Sequence, residues 1–400
     1  STKAEADTYI DVAGFAYFYD LYSAQNYSFA VENPETITLT WKSGDEIIRT
    51  DKLLKAQPKY SPKGFAPEGK QVVGWTKDDN NTNQFYSPSL DIANLSADTT
   101  LYAYLVDSAA NENLPTGDNV FYVNNASGKD NNDGLTAATA LKTFSKAYGK
   151  IETEGTIILV GSIEGVATLG QAGKKITYVG YNDAATIWLY HSGGSIQLAG
   201  DVTFKDIAIV KTSGTEPYIS AKGFNITFDG NIRNWFRAGI GGAYARLAQF
   251  HYNGTFPATI DSTITLKGGT FDGVRTGIHT SSTDHKIVCG KSTVVIDGAT
   301  VGAVATSHNY QPTNWFKGTQ QVTVNSGTVR GILSFDAAWG QTGIRYIQIN
   351  GGNIEGTVRT TDTIIGGNTD PKNTYDASSV DNYTAVSGVE LNGGNFKTKT

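Results

Sequence analysis

Three features of the sequence predict an all-β protein, in which a small β-rich module is followed by a right-handed parallel β-helix. A unit of two short alternating strands around a small residue recurs five times without a gap in the second half of the chain. Apolar residues hold the same places in every copy, so each unit has one face to bury. Composition agrees: 39% hydrophobic and 18% charged residues, with 45 Gly and 10 Pro, describe a turn-rich folded chain and exclude disorder and a collagen repeat.

Residues 1–35, with the run Phe15-Ala16-Tyr17-Phe18-Tyr19, receive no assignment. Over residues 36–107, Thr36–Trp41, Gln71–Trp75 and Thr99–Leu105 alternate as strands between Lys/Pro/Gly-rich turns. Two signals stand out there: Val73-Gly74-Trp75, and the ending Leu95-Ser96-Ala97-Asp98-Thr99-Thr100-Leu101-Tyr102-Ala103 after an Asp/Asn-rich loop. Together they resemble the internalin-type B-repeat, a β-grasp-like module of bacterial surface proteins. Lys42-Ser43-Gly44-Asp45 stands where that repeat has a glycine-rich opening. The resemblance implies a secreted or cell-surface bacterial protein and a spacer or binding role for the module. Residues 108–118 lack apolar periodicity and collect Asn, Asp, Ser, Gly and Pro, as a linker does.

Residues 119–400 form the second predicted domain. Ile264-Thr265-Leu266-Lys267-Gly268-Gly269-Thr270-Phe271 superposes on the segments beginning at Val294, Val322, Ile347 and Val389. With Gly269, Ala299, Gly327, Gly352 and Gly394 as anchors, the steps are 30, 28, 25 and 42 residues. Apolar residues lie five and three before each anchor and two after it, on either side of a corner that a bulky Cβ would obstruct. Stacked units bury a continuous column and pair equivalent strands in parallel. The same pattern extends upstream less regularly through Ile158, Tyr178, Phe204 and Phe228, at steps of 20, 26 and 24 residues.

The start of this domain carries a second resemblance. Phe121-Tyr122-Val123-Asn124, then Gly128-Lys129-Asp130-Asn131-Asn132-Asp133-Gly134-Leu135, then Ala140-Leu141-Lys142-Thr143-Phe144-Ser145-Lys146-Ala147 are similar to the opening of pectate-lyase-like parallel β-helix proteins. There an Asp/Gly loop precedes a short helix that caps the helix core, which places a capping helix near residues 140–150. The resemblance implies architecture and not activity, because this fold hosts lyases, hydrolases, adhesins and spacers.

Chemistry is sought at one offset from the anchors. His279 follows Gly269 by ten residues, His308 follows Ala299 by nine, Asp336 follows Gly327 by nine and Asp362 follows Gly352 by ten. One capable side chain per coil therefore falls on a longitudinal stripe, with Trp315, Trp339, Arg275, Arg345 and Arg359 near it. A groove across the coils would let Trp faces stack on sugar rings and Arg donate to hydroxyl or carboxylate groups of a polysaccharide. Asp336 and Asp362 on neighbouring coils approach the spacing of a retaining glycosidase pair, and His308 beside Asp336 is an alternative general base. His308, Asp336 and Asp362 are thus the catalytic candidates of a polysaccharide lyase or glycoside hydrolase; His279, Arg275, Trp315, Trp339, Arg345 and Arg359 are the substrate-binding ones. Turns of such a coil are polar in any case, so the same stripe also fits a non-catalytic adhesin or stalk that contacts a protein. No calcium-binding Asp cluster of the pectate-lyase type and no Asp-Asp or Gly-His-Gly motif of polygalacturonases is present, so no family's catalytic residues carry over.

Further candidates are weaker. The insertion Asn231–His251, with Arg233, Trp235, Arg237, Tyr244 and Arg246, lengthens one coil and suits a groove wall as well as a packed loop. Lys129–Gly134 has the alternating oxygens that suit calcium, but it lacks a downstream bidentate Glu and sits at the capping motif, so a structural turn is expected, with calcium as the alternative and no other cofactor. With 32 basic and 38 acidic residues the net charge is −6, and there is no basic block to serve nucleic acid. No run of about 18 apolar residues spans a membrane. The single cysteine, Cys289, permits no intramolecular disulfide and reads as a core thiol. The sequence begins at Ser1 and contains no Met, as a trimmed chain would, and the last coil, Val389–Phe396, has no polar cap after it. These points predict part of a longer multidomain protein.

Overall fold

The structure is a computed structural model that describes residues 35–55, 66–76, 96–189, 196–211, 218–236, 244–251, 259–279, 287–305, 315–331, 333–334, 341–359 and 386–397. The chain divides into two compact units. One comprises Ser1–Phe65, Gly74–Asn81 and Tyr86–Tyr104, and the other Ala66–Val73, Thr82–Phe85 and Leu105–Thr400. The 108–118 segment belongs to the second unit and is tied down within it: Asn111 N–H donates to the Tyr181 carbonyl at 2.6 Å, and Asn182 Nδ2 donates to the Ser108 carbonyl at 3.1 Å.

A four-stranded mixed sheet runs in the order Glu46–Leu54, Thr36–Ser43, Thr99–Asp107, Lys70–Thr76. Thr36–Ser43 pairs antiparallel with the first of these and parallel with Thr99–Asp107. Its core is the edge-to-face contact of Trp41 and Trp75, with ring centroids 4.3 Å apart, and Asp51 accepts the Trp41 indole N–H at 2.8 Å. Glu46–Leu54 escapes the alternation rule because it is an edge strand with only Leu53 buried.

The second unit is built from parallel sheets of thirteen, eight and four strands. Successive segments visit them in rotation: Asp201–Lys205 joins the long sheet, Ala208–Lys211 the short one, Tyr218–Ser220 the eight-stranded one, and Ile226–Asp229 returns to the long sheet. Each strand pairs with its equivalent one round later, as Val202 with Ile226 and Phe204 with Phe228. This is an all-β arrangement compatible with a β-helix.

The predicted inward positions Ile264, Leu266, Phe271, Val294, Ile296, Val301, Val322, Val324, Val329, Ile347, Ile349 and Ile354 all lie in one core, none more than 2% exposed. Upstream, the column runs Ile157, Tyr178, Phe204, Phe228, Leu266 and Ile296 in unbroken register. Ile158 is therefore displaced by one place from the expected ladder and pairs with Val179. Two adjacent isoleucines give the alternation no way to choose between them. The rings of Tyr178, Phe204 and Phe228 stack at 5.3 and 5.2 Å, and Phe271 closes the series edge-on at 4.9 Å from Phe228.

The helix Phe144–Lys150 starts where Thr143 Oγ1 accepts the Lys146 N–H, and buries Phe144 and Ala147. Phe144 packs 5.1 Å from the Tyr178 ring. Asp130 fixes the approach to this helix by accepting the N–H groups of Lys142 and Thr143 at 3.1 and 3.0 Å.

Candidate functional site

The eight-stranded sheet holds His279 and the strands that precede the other predicted stripe residues in sequence. Leu247, Val274, Val304 and Leu333 occupy paired inward positions and are at most 1% exposed. The next residue of each strand therefore lies on the opposite, outward parity. At that position Ala248, Arg275, Ala305, Ser334 and Arg359 stand in register along the sheet, and Arg275 is half-buried. Three steps, about 14 Å at roughly 4.8 Å each, separate Arg275 from Arg359. Further along the same strands, after a register shift, His251 pairs with His279. In the sequence His251 falls at the end of an insertion, out of line with the stripe; only strand pairing across that insertion reveals it.

The remaining stripe residues follow these strands in sequence. His308 comes three residues after Ala305, Asp336 two after Ser334, and Asp362 three after Arg359. His308, Asp336, Asp362 and Trp339 lie outside the described residues. Trp315 opens the strand Trp315–Val329, paired with Ile287, and Arg359 ends Val358–Arg359.

Arg345 corrects the expectation of a groove residue. It is 2% exposed and sits on the inward parity of its strand, in register with Gln320, Ser292 and Ser262, all of them buried. Thr276, from the eight-stranded sheet, donates its hydroxyl to Gln320 Oε1 at 2.8 Å across this interior. A guanidinium held there cannot touch a ligand lying on the outside. Burial lowers its pKa, and an arginine stays cationic regardless. Alternation of type could have signalled this place, because Ser262, Ser292 and Gln320 interrupt the apolar column at one level.

Sequence reasoning also passed over Asp272, at the corner that leads into Gly273–His279. Its carboxyl pKa is raised because burial penalises the charged form, against the opposing effects of a Tyr244 backbone hydrogen bond and the nearby Arg246 charge. A half-buried carboxyl beside an arginine, next to the Arg275 strand, can hold a proton longer than a free aspartate. Within Asp272-Gly273 only a turn is legible.

The two carboxylates of the Lys129–Gly134 loop are committed internally. Besides the Asp130 contacts, Asp133 Oδ1 accepts the Leu135 N–H at 3.0 Å. Among the described residues no group of three or more His, Cys, Asp or Glu is placed to hold a metal ion, and no helix is long and apolar enough to cross a membrane. Compared with protein-family models, curated proteins and solved structures, the chain finds no match.

Proposed function

We propose that the parallel sheets wind as a right-handed, pectate-lyase-like β-helix, and that the protein is a secreted or surface-attached bacterial protein whose helix binds extracellular polysaccharide along the eight-stranded sheet. The observation that carries this reading is the register Arg275–Ala305–Ser334–Arg359, which supports a single line for the segments holding His279, His308, Asp336 and Asp362. An extended sugar chain needs contacts repeated along a line, and a coil supplies one set per turn. The parallel pairing of Thr36–Ser43 with Thr99–Asp107 inside a mixed sheet supports the β-grasp-like, internalin-type reading of the N-terminal module.

The test is a polysaccharide panel scored both for binding and for release of reducing ends or unsaturated products. Trp339→Ala should weaken binding by about 1 kcal/mol or more, the worth of an aromatic contact. Asp336→Asn should remove turnover and leave binding intact. A second reading, a non-catalytic stalk or adhesin, draws support from the outer face of the long sheet. There Thr156, Thr177, Thr203, Thr227 and Thr265 form one even polar ladder. Variants indistinguishable from the parent on every glycan the parent binds would decide for the stalk.

A further inference from the structure

The last described coil presents an unfinished ladder. Val389, Leu391 and Phe396 are in register with Ile347, Ile349 and Ile354, which are 0–1% exposed, yet they are themselves 39%, 60% and 44% exposed. Polar groups stop at the same level. Asn350 Nδ2 donates to Asn325 Oδ1 at 2.9 Å, and Asn392 Nδ2 to Asn350 Oδ1 at 3.0 Å. Beside them Asn395 Nδ2 donates to Asn353 Oδ1 at 3.2 Å. Asn350 thus gives its N–H to the coil before it and its oxygen to the coil after it, and Asn392 and Asn395 donate backward in the same sense, Asn392 also to Glu390 Oε1 at 2.9 Å. Among the described residues nothing donates to the oxygens of Asn392 and Asn395.

We infer that the face made by Val386–Leu391 and Asn395–Phe396 is a docking surface for one further parallel β-coil. The occupant is a polypeptide segment of the pattern apolar-x-apolar-Asn-Gly-Gly-Asn-apolar, as in Ile347–Ile354. Its apolar residues would cover Val389, Leu391 and Phe396, and its asparagines would donate to Asn392 and Asn395. The strand edge, unpaired among the described residues, would gain a partner by the same addition. A second copy of this chain is a poor occupant in either orientation. Head to tail, the approaching first coil carries its own helix, Phe144–Lys150, packed on Tyr178. End to end about a two-fold axis, the strands run antiparallel, whereas every asparagine transfer in this ladder joins parallel strands.

Hydrogen exchange of residues 386–396 tests this in the full chain and in the full chain extended, through a Gly/Ser linker, by a second copy of residues 341–359. The parent should exchange there far faster than at Val322–Val324, and the extension should slow it at least tenfold while abolishing binding of a hydrophobic dye. An extension whose copy carries Ile347→Asp and Ile349→Asp should restore the parent's rate. Three results would overturn the inference: a parent already protected at 386–396, an extension that leaves exchange unchanged, or a parent that sediments as a dimer with this edge protected.

Discussion

Replacing Ile296 by Asp, and its neighbour Val295 by Asp, places one charge on each side of a single strand. Ile296 is fully buried between Leu266 and Val324, whereas Val295 is half-exposed between Thr265 and Thr323. Truncation of a buried isoleucine costs about 2–5 kcal/mol by itself. A carboxyl in the same place must stay protonated, and holding it so at pH 7 against an ordinary value near 3.9 adds up to about 4 kcal/mol. Its folded-state pKa is raised, so this added penalty is absent below about pH 4 and grows as pH rises toward the folded value. Val295→Asp should cost less than about 1 kcal/mol and show no such dependence. Urea unfolding at pH 4 and pH 7 reads the difference, with hydrogen exchange of Val294, Val322 and Val324 as a local probe because stacked coils need not unfold together. Equal losses for the two variants, or a loss at Ile296 that does not ease in acid, would refute the assignment of inward and outward faces.

Gly356→Ala should destabilise strongly in thermal melts, because a Cβ there overlaps the Gly331 carbonyl oxygen. Gly149→Ala, which meets nothing within 4 Å near the end of a helix, should stabilise by about 0.5–1 kcal/mol. The Tyr148 hydroxyl, hydrogen-bonded to Tyr178, has its pKa pushed up to about 12 by burial. Stability should thus hold below about pH 10 and fall between pH 10 and 12 as the unfolded tyrosine ionises, by about 3 kcal/mol for this group; Tyr148→Phe should flatten that fall in denaturant titrations. The raised carboxyl of Asp272 acts in the same sense at lower pH, costing stability as pH rises past the ordinary aspartate range. Asp272→Asn, which keeps an acceptor for the backbone, should therefore be at least as stable as the parent at pH 7.

Most of the second unit was legible because one physical constraint, a period-2 apolar pattern bent at a small residue, repeats at every level from Ile264 to Phe396. It failed where that pattern was degenerate, as at Ile157-Ile158, or where burial is sparse, as in Glu46–Leu54. The corners were readable only in part. Gly269, Gly327, Gly352 and Gly394 all have positive φ, but in the coil anchored at Ala299 the left-handed residue is Gly298, at 131°, and the ladder slips locally beside it. The candidate site was less legible. Nearness in sequence to the nine-or-ten-residue offset cannot tell Arg275, half-buried on the eight-stranded sheet, from Arg345, which points inward from the long sheet. That difference depends on parity within a strand whose start the sequence does not mark. Pairings such as His251 with His279 span an insertion and need the sheet itself.

Segments of very unequal length each advance the stack by one strand spacing. Spin labels on outward residues measure this directly, with Cys289→Ala to remove the native thiol. Thr177 is followed along the outer ladder by Thr203, Thr227, Thr265, Val295, Thr323 and Gln348. Pulsed dipolar distances from Thr177 to Thr265, Val295, Thr323 and Gln348 should be about 14, 19, 24 and 29 Å, rising by one strand spacing of roughly 4.8 Å each time. Distances that instead follow the number of intervening residues, or that stop rising along the series, would contradict the account.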